Sequence, residues 1–369
     1  MTRPTVLVLP NTIFFPPYLE EIEERGRAGR VPRTWLADVD ADLTILDQRL
    51  QTNPPRWRRP LYRRLSMWVV QVLEAFRVGR TYDVVFVWSL ANVALVLALL
   101  LRLTRRRITL VCLLTRISEP KKARLLRRVH THITRIILPP QSQREIAMRE
   151  LGVPAEKLVD LPWTLDLDFW RPADPEPVRH TICAAGGEMR DYVTLVRALD
   201  GLNIPCHIAG VLDTSRPDWW NAADDDRAGE ELVPGNVTFG TMPPNELRDL
   251  YARSRFVVVP LHATDSDNGI TCMNEAWAMS RPVIVSDVAG QQGAFIEGVE
   301  GVWVPQGDVN ALRRAIIDLW ANPASADAMG VAGRRLVERE KSNAVFSAGL
   351  SRVLSEAAGM VDESARTTG

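Results

Sequence analysis

The sequence predicts an α/β protein built of two Rossmann-like, doubly wound parallel-sheet domains facing a central cleft, and three observations carry that expectation. Short β-branched runs alternate with helical stretches through both halves, as strands joined by crossover helices do. The length, 369 residues, is long for one hydrophobic core and suits two. Between the halves, Pro172, Pro175 and Pro177 suppress helix and sheet and favour an extended connector.

Taken in order, strands are expected in the first half at Thr5–Leu9, Leu43–Leu46, Val84–Val87, Ile108–Leu113 and Ile133–Leu138. In the second half they are expected at Thr181–Ala185, His207–Gly210, Val237–Phe239, Phe256–Val259, Val283–Ser286 and Gly301–Val304. The clearest helices are Tyr192–Leu199, Asn245–Ala252, Asn274–Met279 and Asn310–Ala321. Asp308 is a candidate cap for the last, and Leu312, Ile316 and Leu319 mark its buried face. The uncharged run from Val84 to Leu101 reaches the length of a membrane span. It reads instead as a strand and a helix, with Ser89 and Asn92 as a turn and helix cap. Domains are expected at residues 1–170 and 171–340. A helix at 341–358 should pack back toward the first domain, and a polar, disordered tail should follow at 359–369.

Charge divides the chain. Residues 1–170 carry 27 Lys and Arg against 17 Asp and Glu, whereas residues 171–369 carry 18 against 28. An acidic second half argues against a nucleic-acid groove. The basic first half, with Arg56, Arg58, Arg59, Arg63 and Arg64 around Trp57, Leu61 and Tyr62, and with Lys121, Lys122, Arg124, Arg127 and Arg128, is suited either to a solvated face or to peripheral contact with an anionic membrane. The four cysteines are dispersed, which indicates neither a disulfide framework nor a zinc site and fits a reducing cytoplasm. The expected location is therefore cytoplasmic, with the inner face of the cell membrane as a peripheral site. The short apolar stretch at the start is not a secretory signal.

The densest chemical signal runs from Asp267 to Met279. Asp267 and Glu275 stand eight positions apart, joined by a turn at Asn268, Gly269, Ile270 and Thr271 and followed by the strand beginning at Val283. Gly269 lets backbone pass close to a ligand, and the N–H groups opening the helix that carries Glu275 suit a phosphate. Upstream, Gly186, Gly187 and Arg190 form a glycine loop with one cation, which suits the negative charge of a leaving diphosphate.

The Asp267–Glu275 stretch resembles the two-glutamate signature of family 4 glycosyltransferases, with Asp267 at the place of the first glutamate. Residues 186–190 are similar to that family's Gly-Arg…Lys loop, with Arg190 at the lysine position and Gly187 near the arginine. Val237–Leu247, including Gly240, resembles its nucleobase segment, and Leu161–Pro172 its interdomain Pro-Asn-Gly-Val-Asp…Phe-x-Pro motif. The resemblance covers roughly residues 130–340. It implies a GT-B fold and a retaining glycosyltransferase that uses a UDP- or GDP-sugar. It implies further that Glu275 holds the ribose, that Asp267 meets the transferring sugar and that Arg190 faces the diphosphate. Gly186, Gly187, Gly240, Asn268, Gly269, Ile270 and Thr271 would complete the donor site. No metal or cofactor is expected.

The first half matches the family poorly, and Asn11, Thr12, Thr115 and Arg116 are the acceptor-side candidates for a glycan, lipid-linked or small-molecule acceptor. Two alternatives stand beside a transferase: a nucleotide-sugar epimerase or phosphorylase on the same architecture, and a catalytically degenerate nucleotide-binding scaffold. His262 with Asp265 and Asp267 could also be drawn as a metal cluster, against which the cation and helix N–H donors already present weigh.

Overall fold

The computed structural model describes residues 3–11, 19–53, 57–210 and 233–366. Thr12, Arg56 and the acidic run Asp224–Asp226 lie outside the described residues. Two compact units divide the chain. One comprises Met1–Ala28, Arg33–Pro162 and Ala344–Gly369, and the other Gly29–Pro32 and Trp163–Asn343.

The first unit runs β1 (Thr5–Leu9), α1 (Leu19–Arg27), β2 (Asp42–Ile45), α2 (Arg49–Thr52), α3 (Arg59–Tyr62), α4 (Met67–Val78), β3 (Val84–Trp88), α5 (Ala91–Leu103), β4 (Leu110–Leu113), α6 (Pro120–Val129), β5 (Arg135–Ile137), α7 (Gln141–Arg149) and β6 (Leu158–Val159). Its strands form one parallel sheet in the order β2-β1-β3-β4-β5-β6. The 84–101 run divides at Ser89, whose φ is +54°, into strand and helix. Val84, Val85 and Val87 are stiff at χ1 and favour the pleat, while the Leu and Ala residues that follow favour a helix. No helix among the described residues is long and apolar enough to cross a membrane.

The second unit runs β7 (Thr181–Ala185), α8 (Tyr192–Leu199), β8 (Cys206–Ala209), β9 (Val237–Phe239), α9 (Pro244–Arg253), β10 (Ser254–Val259), α10 (Ile270–Ala278), β11 (Val283–Asp287), β12 (Gly301–Pro305), α11 (Val309–Ala321) and α12 (Pro323–Glu340). Its sheet, also parallel, has the order β12-β11-β10-β7-β8-β9. Apolar clusters cover both faces: Cys183, Val257, Val259, Met273 and Trp277 on one, and Ile182, Leu195, Ile208, Val258 and Ile316 on the other. Buried on both faces, these strands read as continuous apolar runs rather than alternating ones. Asp308 caps α11 by accepting from Ala311 N at 2.8 Å, and Asp191 caps α8 by accepting from Thr194 N at 3.1 Å. Each such cap contributes about 1 kcal/mol.

Three expectations need correction. The change of unit falls at Pro162–Trp163 rather than after residue 170, because Leu165, Phe169 and Trp170 join the core of the second unit. The helix of Glu275 begins at Ile270, so Ile270 and Thr271 are its first turn and not a connecting loop. The last helix, α13 (Asn343–Arg366), continues through most of the segment expected to be a disordered tail. Its commitment comes from Phe346, Leu350, Val353, Leu354 and Ala357, a buried stripe at helical spacing. In the first unit, Phe346 packs 4.9 Å from the ring of Trp35, and Ser347 Oγ donates to Trp35 O.

Candidate donor site on the second unit

Parallel sheets take ligands beyond the carboxyl ends of their strands. In the second unit, the loops after β7 and β10 meet there. The β7 loop turns at Gly186, with φ +91°, and brings Arg190 inward. That guanidinium is 5% exposed. Its Nε donates to Ala185 O at 2.9 Å, its Nη1 to Glu188 O at 2.8 Å and its Nη2 to Cys272 Sγ at 3.3 Å. Arg190 is therefore a fixed charge built into the loop. A Cβ on Gly186 would lie 2.6 Å from Arg190 Nη2, so the turn and the buried cation require one another.

The β10 loop carries the acid pair. Its backbone is pinned by Gly290 N donating to Thr264 O at 2.9 Å and Gln291 Nε2 donating to Asn268 O at 2.6 Å. The Asn268 side chain accepts from Thr264 Oγ1 at 2.7 Å. Gly269, at φ +98°, then opens α10, and a Cβ there would meet Val259 Cγ1 at 2.7 Å and Arg190 Nη1 at 3.7 Å. Gly186, Arg190, Gly269 and Cys272 thus form one contiguous patch under the N-terminus of α10. Ile270 is buried, with its N–H donating to Asp267 O at 3.1 Å, and Thr271 is exposed at the helix start, where the helix dipole favours an anion.

Asp267 accepts from Trp163 Nε1 at Oδ2 and from Ser266 Oγ at Oδ1, the latter at 3.3 Å. Burial pushes its pKa up, the Trp163 hydrogen bond pulls it back, and the Glu188 carboxylate adds to the rise. Glu275, one turn into α10, accepts from Tyr251 Oη at 3.1 Å. Burial pushes its pKa up to about 8, against the Tyr251 hydrogen bond and the Arg190 charge. Arg190 therefore acts electrostatically on Glu275, and Glu188 on Asp267.

Gly187 sits in the β7 loop, where its carbonyl accepts from Arg190 N at 3.4 Å. Gly240 stands apart from this patch, beyond β9 at the sheet edge and beside the His207 ring. His262 lies 4.0 Å from Asp191 rather than with Asp267. On the first unit, Asn11 follows β1 and is buried, and Thr115 and Arg116 follow β4 and are partly buried.

Five contributors were not singled out from the sequence: Trp163, Glu188, Tyr251, Ser266 and Cys272. Ser266 and Cys272 flank or fall inside the acid-pair stretch and Glu188 falls inside the glycine loop, so adjacency could have found them. Tyr251 and Trp163 carry no local signal, since they reach the acids from 24 and 104 residues away.

With this geometry in place, the chain can be set beside known proteins. Residues 189–322 match the family model described as Glycosyl transferases group 1. That segment contains Arg190, Asp267 and Glu275. The structure of sucrose-phosphate synthase from Thermosynechococcus elongatus superposes with a TM-score of 0.71 at 17% identity, covering 95% of this chain and 98% of that one. A glycosyltransferase from Rickettsia africae gives 0.68 at 13%, covering 97% and 99%. Anabaena HepE in complex with UDP-glucose gives 0.68 at 14%, covering 96% and 100%. No curated protein matches the sequence. The chain has the GT-B fold of two Rossmann-like domains, and its second unit carries a glycosyl transferases group 1 segment.

Proposed function

We propose that the protein transfers a sugar from a nucleoside diphosphate sugar to an acceptor bound by the first unit, with retention of anomeric configuration. The observation that carries this reading is the patch of Gly186, Arg190 and Gly269 beneath the α10 N-terminus, with Glu275 one turn further and Asp267 just before it. Backbone N–H groups at the start of α10 would hold the diphosphate, and the buried Arg190 charge would lower the cost of negative charge gathering on it. Glu275 would accept from the ribose hydroxyls and Asp267 from the sugar. Positioning and electrostatics would supply much of the rate, and the leaving phosphate would help take the acceptor proton. Anabaena HepE is described with UDP-glucose, which supports a UDP-sugar over a GDP-sugar as the first donor to test.

The first unit would hold the acceptor near Asn11, Thr115 and Arg116, at the carboxyl ends of β1 and β4. Four free, buried cysteines support a reducing cytoplasmic setting. The basic surface of the first unit supports peripheral contact with the inner face of the membrane, which would suit a lipid-linked acceptor.

Thermal-shift titration with UDP, GDP and their sugars, followed by a transfer assay, tests the proposal. Stabilisation by one nucleotide series and release of that diphosphate on adding acceptor are expected. Glu275→Ala should reduce donor affinity and transfer about tenfold, roughly the cost of leaving a ribose hydroxyl without its hydrogen-bond partner. Sugar interconversion without acceptor would favour an epimerase. Nucleotide binding without turnover would favour a scaffold.

A further inference from the structure

We propose that Trp163 is a positioning residue for Asp267: its indole N–H fixes the carboxylate in the orientation that meets the sugar of the donor. The inference rests on the transferase reading above and adds a residue to it. Trp163 opens the long segment of the second unit, directly after Pro162. Its backbone is tethered two residues on, where Leu165 N donates to Lys341 O at 3.0 Å and Leu165 O accepts from Asn343 N at 3.1 Å. Thr164 Oγ1 donates to Asn343 Oδ1 at 2.9 Å. The indole packs against the core that contains Leu165, Phe169 and Trp170. A side chain anchored at backbone and ring has little freedom left, so its donor reaches Asp267 Oδ2 preorganised.

The partner is equally constrained. Asp267 Oδ1 takes Ser266 Oγ, and the backbone on either side is tied to Thr264, Gly290 and Gln291. Trp163 and Ser266 hold one oxygen each, and a carboxylate has about four accepting sites in all. Trp163 and Asp267 are two of the places where this chain departs from the motifs it resembles. A large ring replaces the motif's Asn, and an acid shorter by one methylene replaces its Glu. The two side chains touch, so these two departures meet at one point.

Calorimetric affinities of Trp163→Phe for UDP-glucose and for UDP test this, together with the pH profile of kcat/KM. GDP-mannose and GDP serve as the second pair if the wild type prefers guanine. The Phe variant keeps the ring and loses the donor. The expected result is affinity for the nucleotide sugar reduced about tenfold, with affinity for the diphosphate alone changed less than about twofold. The acid limb of kcat/KM should move to higher pH, because the hydrogen bond removed is one that favours the carboxylate. Asp267→Glu alone should lose activity by crowding the indole, and Trp163→Asn with Asp267→Glu should regain part of it, a coupling that a merely structural tryptophan would not show. If the Phe variant does not fold, the indole N–H resonance of Trp163 in the wild type should shift as Asp267 titrates. Equal loss of both ligands, an unmoved acid limb, or an indole resonance indifferent to the carboxylate would overturn the assignment. A wild type that binds none of the four nucleotides would overturn the transferase reading itself.

Discussion

At the scale of single residues, Glu275 gives the account its clearest pH signature. Its pKa is pushed up to about 8 in the folded protein, well above the ordinary carboxylate range of an unfolded chain. Between those values the folded state holds a proton that the unfolded state has lost, so stability contributed at this site declines as pH rises through that window. Glu275→Gln cannot ionise and removes the decline. The Tm of the Gln variant relative to wild type should therefore be higher at pH 8 than at pH 5, by on the order of 5 °C in calorimetric scans. A difference independent of pH would mean that the carboxyl is not desolvated. Asp267, Glu275 and Arg190 are all marked in the sequence by local spacing. Their partners were not, because Tyr251 and Trp163 reach the acids through tertiary contacts that no short window contains.

At the scale of elements, the two loops after β7 and β10 depend on glycines whose conformation a side chain cannot share. Gly186→Ala would add a Cβ 2.6 Å from the Arg190 guanidinium at φ +91°, and Gly269→Ala one 2.7 Å from Val259 at φ +98°. Each substitution is expected to cost about 1–3 kcal/mol in urea unfolding. Gly186→Ala should also weaken nucleotide binding, because it displaces the buried cation. Unfolding curves that superpose on wild type would show that these turns are slack.

Strands were the most legible elements. Thr181–Ala185 and Val237–Phe239 have the expected bounds, because β-branched and apolar runs closed by Gly or Pro have few other readings. The helices α12 and α13 were less legible. Glycines at Gly330 and Gly333 lower helix propensity, and their reason lies in the close packing of α12 on α10 rather than in the local sequence. The inward turn of Arg190 was equally hidden, since it depends on the left-handed conformation of Gly186 and on a thiol 82 positions along the chain.

At the scale of the molecule, the proposed peripheral contact with an anionic membrane belongs to the first unit. Residues 49–73 contain six arginines and no acid, of which Arg49 pairs with Asp47 and Glu20 and Arg58 with Glu74. Trp57 is 75% exposed, Leu61 53% and Trp68 37%, with Arg58 stacked 4.4 Å over Trp57. Gln71 Nε2 donates to Pro10 O at 3.0 Å, which sets α4 beside the carboxyl end of β1, the end where ligands of such sheets bind. In sedimentation assays the protein should bind vesicles containing phosphatidylglycerol and not vesicles of phosphatidylcholine alone. Trp57→Ala with Leu61→Ala should reduce that binding at least tenfold, given about 1.5–3 kcal/mol for burying each large apolar side chain. Binding unaffected by these changes would place the contact elsewhere. The division into two α/β units was legible from length and alternation, but the exact join was not. Pro172–Pro177 is the conspicuous break, yet Phe169 and Trp170 already belong to the second core.

The central claim is that a nucleoside diphosphate sugar lies over the start of α10. A crystal structure with UDP-glucose, or with GDP-mannose if guanine is preferred, tests it most directly. The diphosphate should sit on the backbone N–H groups of residues 269–272 beside Gly186 and Gly187, with the ribose hydroxyls on Glu275 and the sugar facing Asp267. A nucleotide bound elsewhere on the chain, or one whose ribose leaves Glu275 untouched, would contradict the account.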